Sequence, residues 1–182
     1  LLLAVVLPGF VLGTTAVWVD NNLVPQLVLL PSAPPAFFER EMRERENAPL
    51  EVALVFGRSQ GCRNADPALI NIVASEAVAA GVPPKILAAV IAVESQCSSI
   101  AVSSKCAIGL CQVMPRVWNS QFDFTKVNLF NPRENIHVGA SILSPLIRDY
   151  GLVRGIQLYN GAGVGCKSCD SGYASKVLAL AT

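Results

Sequence analysis

Apolar and charged positions divide this chain into three stretches of different character. Residues 1–38 carry a single charged side chain, Asp20. Within them LLLAVVLPGFVLGTTAVWV, residues 1–19, is uncharged, and as a helix rising about 1.5 Å per residue it would nearly cross a hydrocarbon layer of about 30 Å. Pro8-Gly9 would kink it. The pattern predicts an apolar membrane anchor or signal-anchor over residues 1–30. Two alternatives stay open. A cleaved signal peptide usually has an apolar core of about 7–15 residues and ends on a small-x-small cleavage site, which is not evident here. A buried hairpin formed with LVPQLVLLP, residues 23–31, would also hide these side chains.

Residues 31–60 read as a Pro-rich and charged linker. The prolines of PSAPPAFF, residues 31–38, favour extended chain. In EREMRERE, residues 39–46, every residue except Met42 is charged. Glu39 with Arg43, and Glu41 with Arg45, stand i to i+4 with the acid first, the order that suits a short solvated helix.

From residue 61 to 182 the pattern becomes that of packed helices. Asp66-Pro67 is a helix start, with Asp as N-cap and Pro in the first turn, and Gly81 is a stop. Val82-Pro83-Pro84 opens a second helix that runs to about Ser95. Residues 96–108, serine-rich and without helical period, predict a loop or small hairpin. A further helix is expected to begin at Gly109 to Gln112 and pass Met114-Pro115 in its first turn. Asn131-Pro132 starts another, carried by Ile136, Ala140, Leu143 and Ile147, bent at Pro145 and stopped at Gly151. Shorter helices are expected over 152–160 and 172–181, on either side of the glycine-rich GAGVGCKSCDSG. The fold class that follows is all-α, with at most a small hairpin, behind an N-terminal apolar helix.

Charge and cysteine content narrow the chemistry. A net charge of +1 with no basic block excludes nucleic acid as the expected partner. The six cysteines, Cys62, Cys97, Cys106, Cys111, Cys166 and Cys169, all lie beyond the linker. An even number confined to the globular part, behind an apolar N-terminus, suggests disulfides in an oxidising compartment. The C-x-x-C at Cys166 and Cys169 has no second such pair and only His137 to assist it, so no metal is expected.

One acid stands out. In AAVIAVES, residues 88–95, an uncharged run ends on Glu94. Leu87, Val90, Ile91 and Glu94 are spaced i, i+3, i+4, i+7, so the carboxyl shares a stripe with three apolar side chains. Glu94 also falls in the last turn, where the negative end of the helix dipole joins desolvation in opposing ionisation. Both effects raise its pKa, as a general acid near neutral pH requires. The plain alternative is a surface carboxylate at a helix end.

From Glu94 the chain continues ESQCSSIAVSSKCAIGLCQVMP, which resembles the catalytic core of lytic transglycosylases of the soluble, SLT-type, goose-lysozyme-like family. Glu94-Ser95, Ala101-Val102-Ser103, Gly109-Leu110, Gln112-Val113 and Met114-Pro115 match at the expected spacing. Further blocks agree in order: Asn131-Pro132 with Asn135-Ile136 and Gly139; Tyr159-Asn160 with Gly161 and Gly163; Tyr173 with Val177. Together they span about residues 66–180. Motifs in register count for more than any one alone.

The resemblance implies a lysozyme-like helical domain over 61–182 that cleaves the β-1,4 bond between N-acetylmuramic acid and N-acetylglucosamine in peptidoglycan glycan strands, without a cofactor. It implies that Glu94 protonates the glycosidic oxygen and then, as a base, deprotonates the muramyl 6-hydroxyl, which closes on C1 to give a 1,6-anhydro end. Most glycosidases need two carboxylates, yet Asp123, Glu134, Asp149 and Asp170 all lie outside the matched blocks. By the same analogy Gln112 and Asn160 bond sugar amide or hydroxyl groups, Met114 and Tyr159 wall the cleft, and Tyr173 points its hydroxyl toward Glu94 or an N-acetyl group. Ser95 either touches substrate or steadies the helix end. His137 is expected to be structural. The implied setting is the periplasmic face of the inner membrane, or a virion, with the membrane held through the N-terminal segment and a secretion or phage assembly as partner. A goose-type hydrolase, and a non-catalytic wall-binding subunit, remain alternatives.

The chain departs from the family pattern at Cys111, where Met is usual, at Cys97, where an aromatic is common, and at Cys106, where a small residue stands. Leu158 replaces the usual Ala before Tyr-Asn, and Gly161-Ala162 inverts the usual small pair. Disulfides that fasten the loop beside the site are expected. Cys97 or Cys111 would pair with Cys106, and Cys166 with Cys169 or Cys62.

Overall fold

A computed structural model describes residues 36–161 and 172–182. The expected apolar segment over 1–30, Cys166 and Cys169 lie outside the described residues. The described helices are α1 (Ala36–Arg58), α2 (Pro67–Ala80), α3 (Pro84–Ser95), α4 (Pro115–Trp118), α5 (Pro132–Tyr150), α6 (Leu152–Tyr159) and α7 (Tyr173–Ala181). β-Pairing among the described residues is limited to isolated antiparallel bridges, Val102 with Ile108 and Ile108 with Val113. The all-α class holds, with the small β element in the serine-rich loop. No described helix is long and apolar enough to cross a membrane.

The chain divides into two units, Leu1–Arg43 and Glu44–Thr182. In the first, only the opening turns of α1 are described. In the second, α5 packs on α2 and α6, and α3 packs on α2 and α7. Every residue from Ile86 to Ala92 is buried, so α3 is the central helix, apolar all round as its sequence predicts. Leu87, Ile91, Leu110, Ile136, Leu143 and Ile156 are among the largest fully buried side chains.

Local chemistry explains most boundaries. Asp66 accepts the Ala68 N–H at 2.8 Å ahead of Pro67, and Gly81 closes α2 in a left-handed cap. Asn131 accepts the Glu134 N–H at 3.2 Å ahead of Pro132. α5 continues through Pro145 to Gly151.

Two expectations are corrected. Residues 44–58 are not linker: they complete α1, and Ala48, Val52, Val55 and Phe56 are buried in the core of the second unit. Their spacing, i, i+4, i+7, i+8, is an amphipathic stripe, which the neighbouring charged block concealed. Nor does a helix begin at Gly109 to Gln112. Those residues form a tight turn between bridged segments, and the helix starts only at Pro115, which takes its first position.

Candidate active site

Glu94 lies in the last turn of α3, half-buried, and Tyr173 is the first residue of α7. The packing of α7 on α3 brings the Tyr173 hydroxyl to Oε1 of Glu94, to which it donates at 2.7 Å. Burial pushes the Glu94 carboxyl above its ordinary value of 4.5, and the hydrogen bond from Tyr173 partly offsets that rise. Burial and the adjacent Glu94 charge push the Tyr173 phenol far upward, so it stays a donor. The arrangement is a carboxyl poised to hold a proton, steadied by a neutral phenol.

α3 ends in an unusual way. Gln96 and Cys97 both take left-handed backbone, with φ of 51° and 64°, though neither is glycine. Such residues cost roughly 1–3 kcal/mol each and persist only where surrounding structure holds them. Cys97 is disulfide-bonded to Cys62, with Cα atoms 5.1 Å apart and a separation of 35 positions in sequence. Closing a loop of that size is worth about 4 kcal/mol in chain entropy. The expected pairing of Cys106 is thus corrected: Cys106 is an exposed free thiol and Cys111 a buried one. The reason is topological, since Cys111 is turned into the core by the 109–112 turn, and Cys97 faces the segment between α1 and α2.

Asn135 organises the loop beside the acid. It is 1% exposed, and its side chain bonds three backbone groups. Its Oδ1 accepts the Cys111 N–H at 2.8 Å, and its Nδ2 donates to the carbonyls of Ile108 and Leu129, each at 2.9 Å. Gly109, at φ 74°, passes so close to the Asn135 amide that no side chain would fit. Asn135 belongs to a matched block, but the block did not disclose its work, because its partners lie up to 27 residues away.

The remaining expected residues fall around this frame. Gln112 is half-buried at φ 48°, and its Nε2 donates to the carbonyls of Gly109 at 2.9 Å and Ala101 at 3.3 Å, leaving its oxygen as the group suited to a substrate donor. Tyr159 donates to the Cys111 carbonyl at 2.8 Å. The Cys111 thiol sits against Gly139 and Tyr159, and burial with the nearby Glu94 charge pushes it far up, so it is an inert neutral group. Glu94, Tyr173, Cys111 and Tyr159 therefore form one electrostatically linked cluster. Ser95 donates its hydroxyl to the Ile91 carbonyl at 3.1 Å, steadying the helix end. Met114 is half-buried at the N-cap of α4, and Asn160 is exposed at the end of α6. Neither is among the groups that bond or perturb Glu94.

No second described carboxylate acts on Glu94. Asp123 is held by Thr125 and Lys126, Asp149 by Arg148, and Glu134 accepts the Asn128 N–H at 2.7 Å. Asp170 lies outside the described residues. His137 and Arg133 both pair with Glu76, tying α5 to α2. Among the described residues no group of His, Cys, Asp or Glu could hold a metal ion.

A family model described as Transglycosylase SLT domain matches residues 71–175. That span begins in α2 and ends just past Tyr173, so it includes Glu94, Asn135 and Tyr173. Comparison with curated proteins gives no match.

Proposed function

The chain belongs to the SLT transglycosylase family, whose model covers more than half of it, and from that premise we propose that it is a peptidoglycan lytic transglycosylase working through one carboxyl group, Glu94. SLT membership supports a peptidoglycan-cleaving activity of this general type. The finer reading rests on a single observation: Glu94 has a raised pKa, a neutral hydroxyl donor at 2.7 Å, and no carboxylate partner among the described residues.

In this reading the Glu94 acid gives its proton to the oxygen linking N-acetylmuramic acid to N-acetylglucosamine, and the bond from muramyl C1 to that oxygen breaks. The resulting carboxylate takes the proton of the muramyl 6-hydroxyl as O6 bonds to C1. Glu94 ends protonated, as it began, and a 1,6-anhydro ring is left. Placing the internal hydroxyl in line replaces an external water, a proximity effect. Tyr173 holds the carboxyl's direction throughout, and Gln112 offers its amide oxygen to the sugar. The N-terminal apolar residues 1–30 would tether the domain to a membrane facing the wall, for local opening by a secretion or phage assembly.

The test is a digest of purified peptidoglycan with product identification by mass spectrometry, Glu94→Gln serving as control. Anhydro-muropeptides that vanish with Glu94→Gln support the proposal. Reducing ends would point to a hydrolase, and no Glu94-dependent product would leave a wall-binding subunit.

A further inference from the structure

The end of α3 is held from behind by a contact that the proposed chemistry does not use. Gln96 and Cys97 are both left-handed, directly after the turn that carries Glu94. Two features keep them so. Cys97 is covalently tied to the fully buried Cys62. The residue before Cys62, Gly61, lies directly beneath Gln96: a Cβ on Gly61 would collide with the Cβ of Gln96 and press on its carbonyl at 3.0 Å. The disulfide and the glycine thus grip successive residues of one turn, from one short segment between α1 and α2.

We infer that Cys62, Cys97 and Gly61 are positioning residues for Glu94, and that the setting of the carboxyl against Tyr173 depends on the Cys62–Cys97 bond being oxidised. This rests on Glu94 being the acid and base of the site. Left-handed backbone at two successive non-glycine residues relaxes when its restraints are removed. The last turn of a helix, where backbone carbonyls already lack partners within the helix, gives way first. Glu94 would then move toward water. Among the described residues the groups that face it are Tyr173 from α7, Tyr159 from α6 and Cys111 from the loop, all held neutral. Of the described groups, burial and the Tyr173 bond set its titration. Burial is the larger of those opposing effects, so release lowers the titration midpoint.

The chemistry of release is simple. A dithiol such as dithiothreitol passes two electrons and two protons to the cystine, giving two thiols, and itself becomes a cyclic disulfide.

The test follows the Glu94 side-chain carboxyl by nuclear magnetic resonance in carbon-13 glutamate-labelled protein, titrated oxidised, with dithiothreitol, and as Cys62→Ser/Cys97→Ser. The midpoint is expected above 4.5 in the oxidised protein, and nearer 4.5 in the other two. Peptidoglycan turnover should fall about tenfold in kcat, with KM changed less than about twofold. An identical midpoint in oxidised and reduced protein overturns the inference. Should the double variant not fold, Gly61→Ala with the disulfide intact decides the matter. A lowered midpoint supports the clamp, and an unmoved one refutes it. Because the midpoint needs no activity, a shift in a chain that cleaves no peptidoglycan would keep the clamp and remove the proposed reaction. Cleavage with an unmoved midpoint would do the reverse.

Discussion

The hydroxyl of Tyr173 donates to Oε1 of Glu94 at 2.7 Å, joining the first residue of α7 to the last turn of α3. This bond favours the ionised carboxyl and partly offsets the burial that opposes it. Tyr173→Phe is therefore expected to raise the Glu94 pKa further, moving the alkaline limb of the kcat pH profile upward. A hydrogen bond to a charged group is worth about 1.5–3 kcal/mol, so kcat should fall roughly 10- to 100-fold. A pH–rate profile of peptidoglycan solubilisation measures both effects, and a downward shift of the limb would contradict the assignment.

Glu94→Gln should stabilise the fold in a pH-dependent way. Glu94 binds its proton more tightly folded than unfolded, so its contribution to stability is full below the unfolded value near 4.5 and is lost as pH rises through the raised folded value. Glutamine has no such loss, and its amide oxygen can still accept from Tyr173. Thermal melts at several pH values should show wild type and variant converging at acid pH and separating above it. A constant difference across the range would mean that the carboxyl is not perturbed.

Asn135→Ala should be among the most damaging changes remote from the acid. It strands the Cys111 N–H and the Leu129 carbonyl in the interior and takes one of two donors from the Ile108 carbonyl, which keeps the Val113 N–H. At about 1 kcal/mol per lost bond, and more for groups left unsatisfied, the unfolding free energy should drop by about 3 kcal/mol or more. Urea denaturation reads this directly. A loss under about 1 kcal/mol would show that water replaces the amide.

Asp123→Asn and Asp149→Asn should each leave activity within about twofold, since both carboxylates are on the surface and bonded to local partners. Product analysis as well as rate is needed. Loss of activity with either one would identify a second catalytic carboxylate and favour hydrolysis.

Features written in adjacent residues were legible in the sequence. Asp66-Pro67 and Asn131-Pro132 cap their helices as expected, Gly81 ends α2, and the uninterrupted apolar run of α3 is buried throughout. The family resemblance leaves Tyr173 facing either Glu94 or an N-acetyl group, and local pattern cannot choose between them across 79 residues. Other features depend on tertiary restraint. Left-handed backbone at Gln96, Cys97, Cys106 and Gln112 defies the glycine rule that makes turns readable. The Cys62–Cys97 pairing follows from how α3 lies against the segment after α1, not from spacing. The core face of α1 was present in Ala48, Val52, Val55 and Phe56, but a block of charge beside it suggested solvent.

The tie between Cys62 and Cys97 also has a consequence in time. It encloses α2 and α3 and nothing later in the chain. A polypeptide is delivered N-terminus first, so both sulfurs are available for oxidation before α5, α6 and α7 have been made. Where oxidation comes first, Tyr173 on α7 meets a carboxyl whose turn is already fastened. In that order the turn that carries the acid is set before its hydrogen-bond donor is supplied.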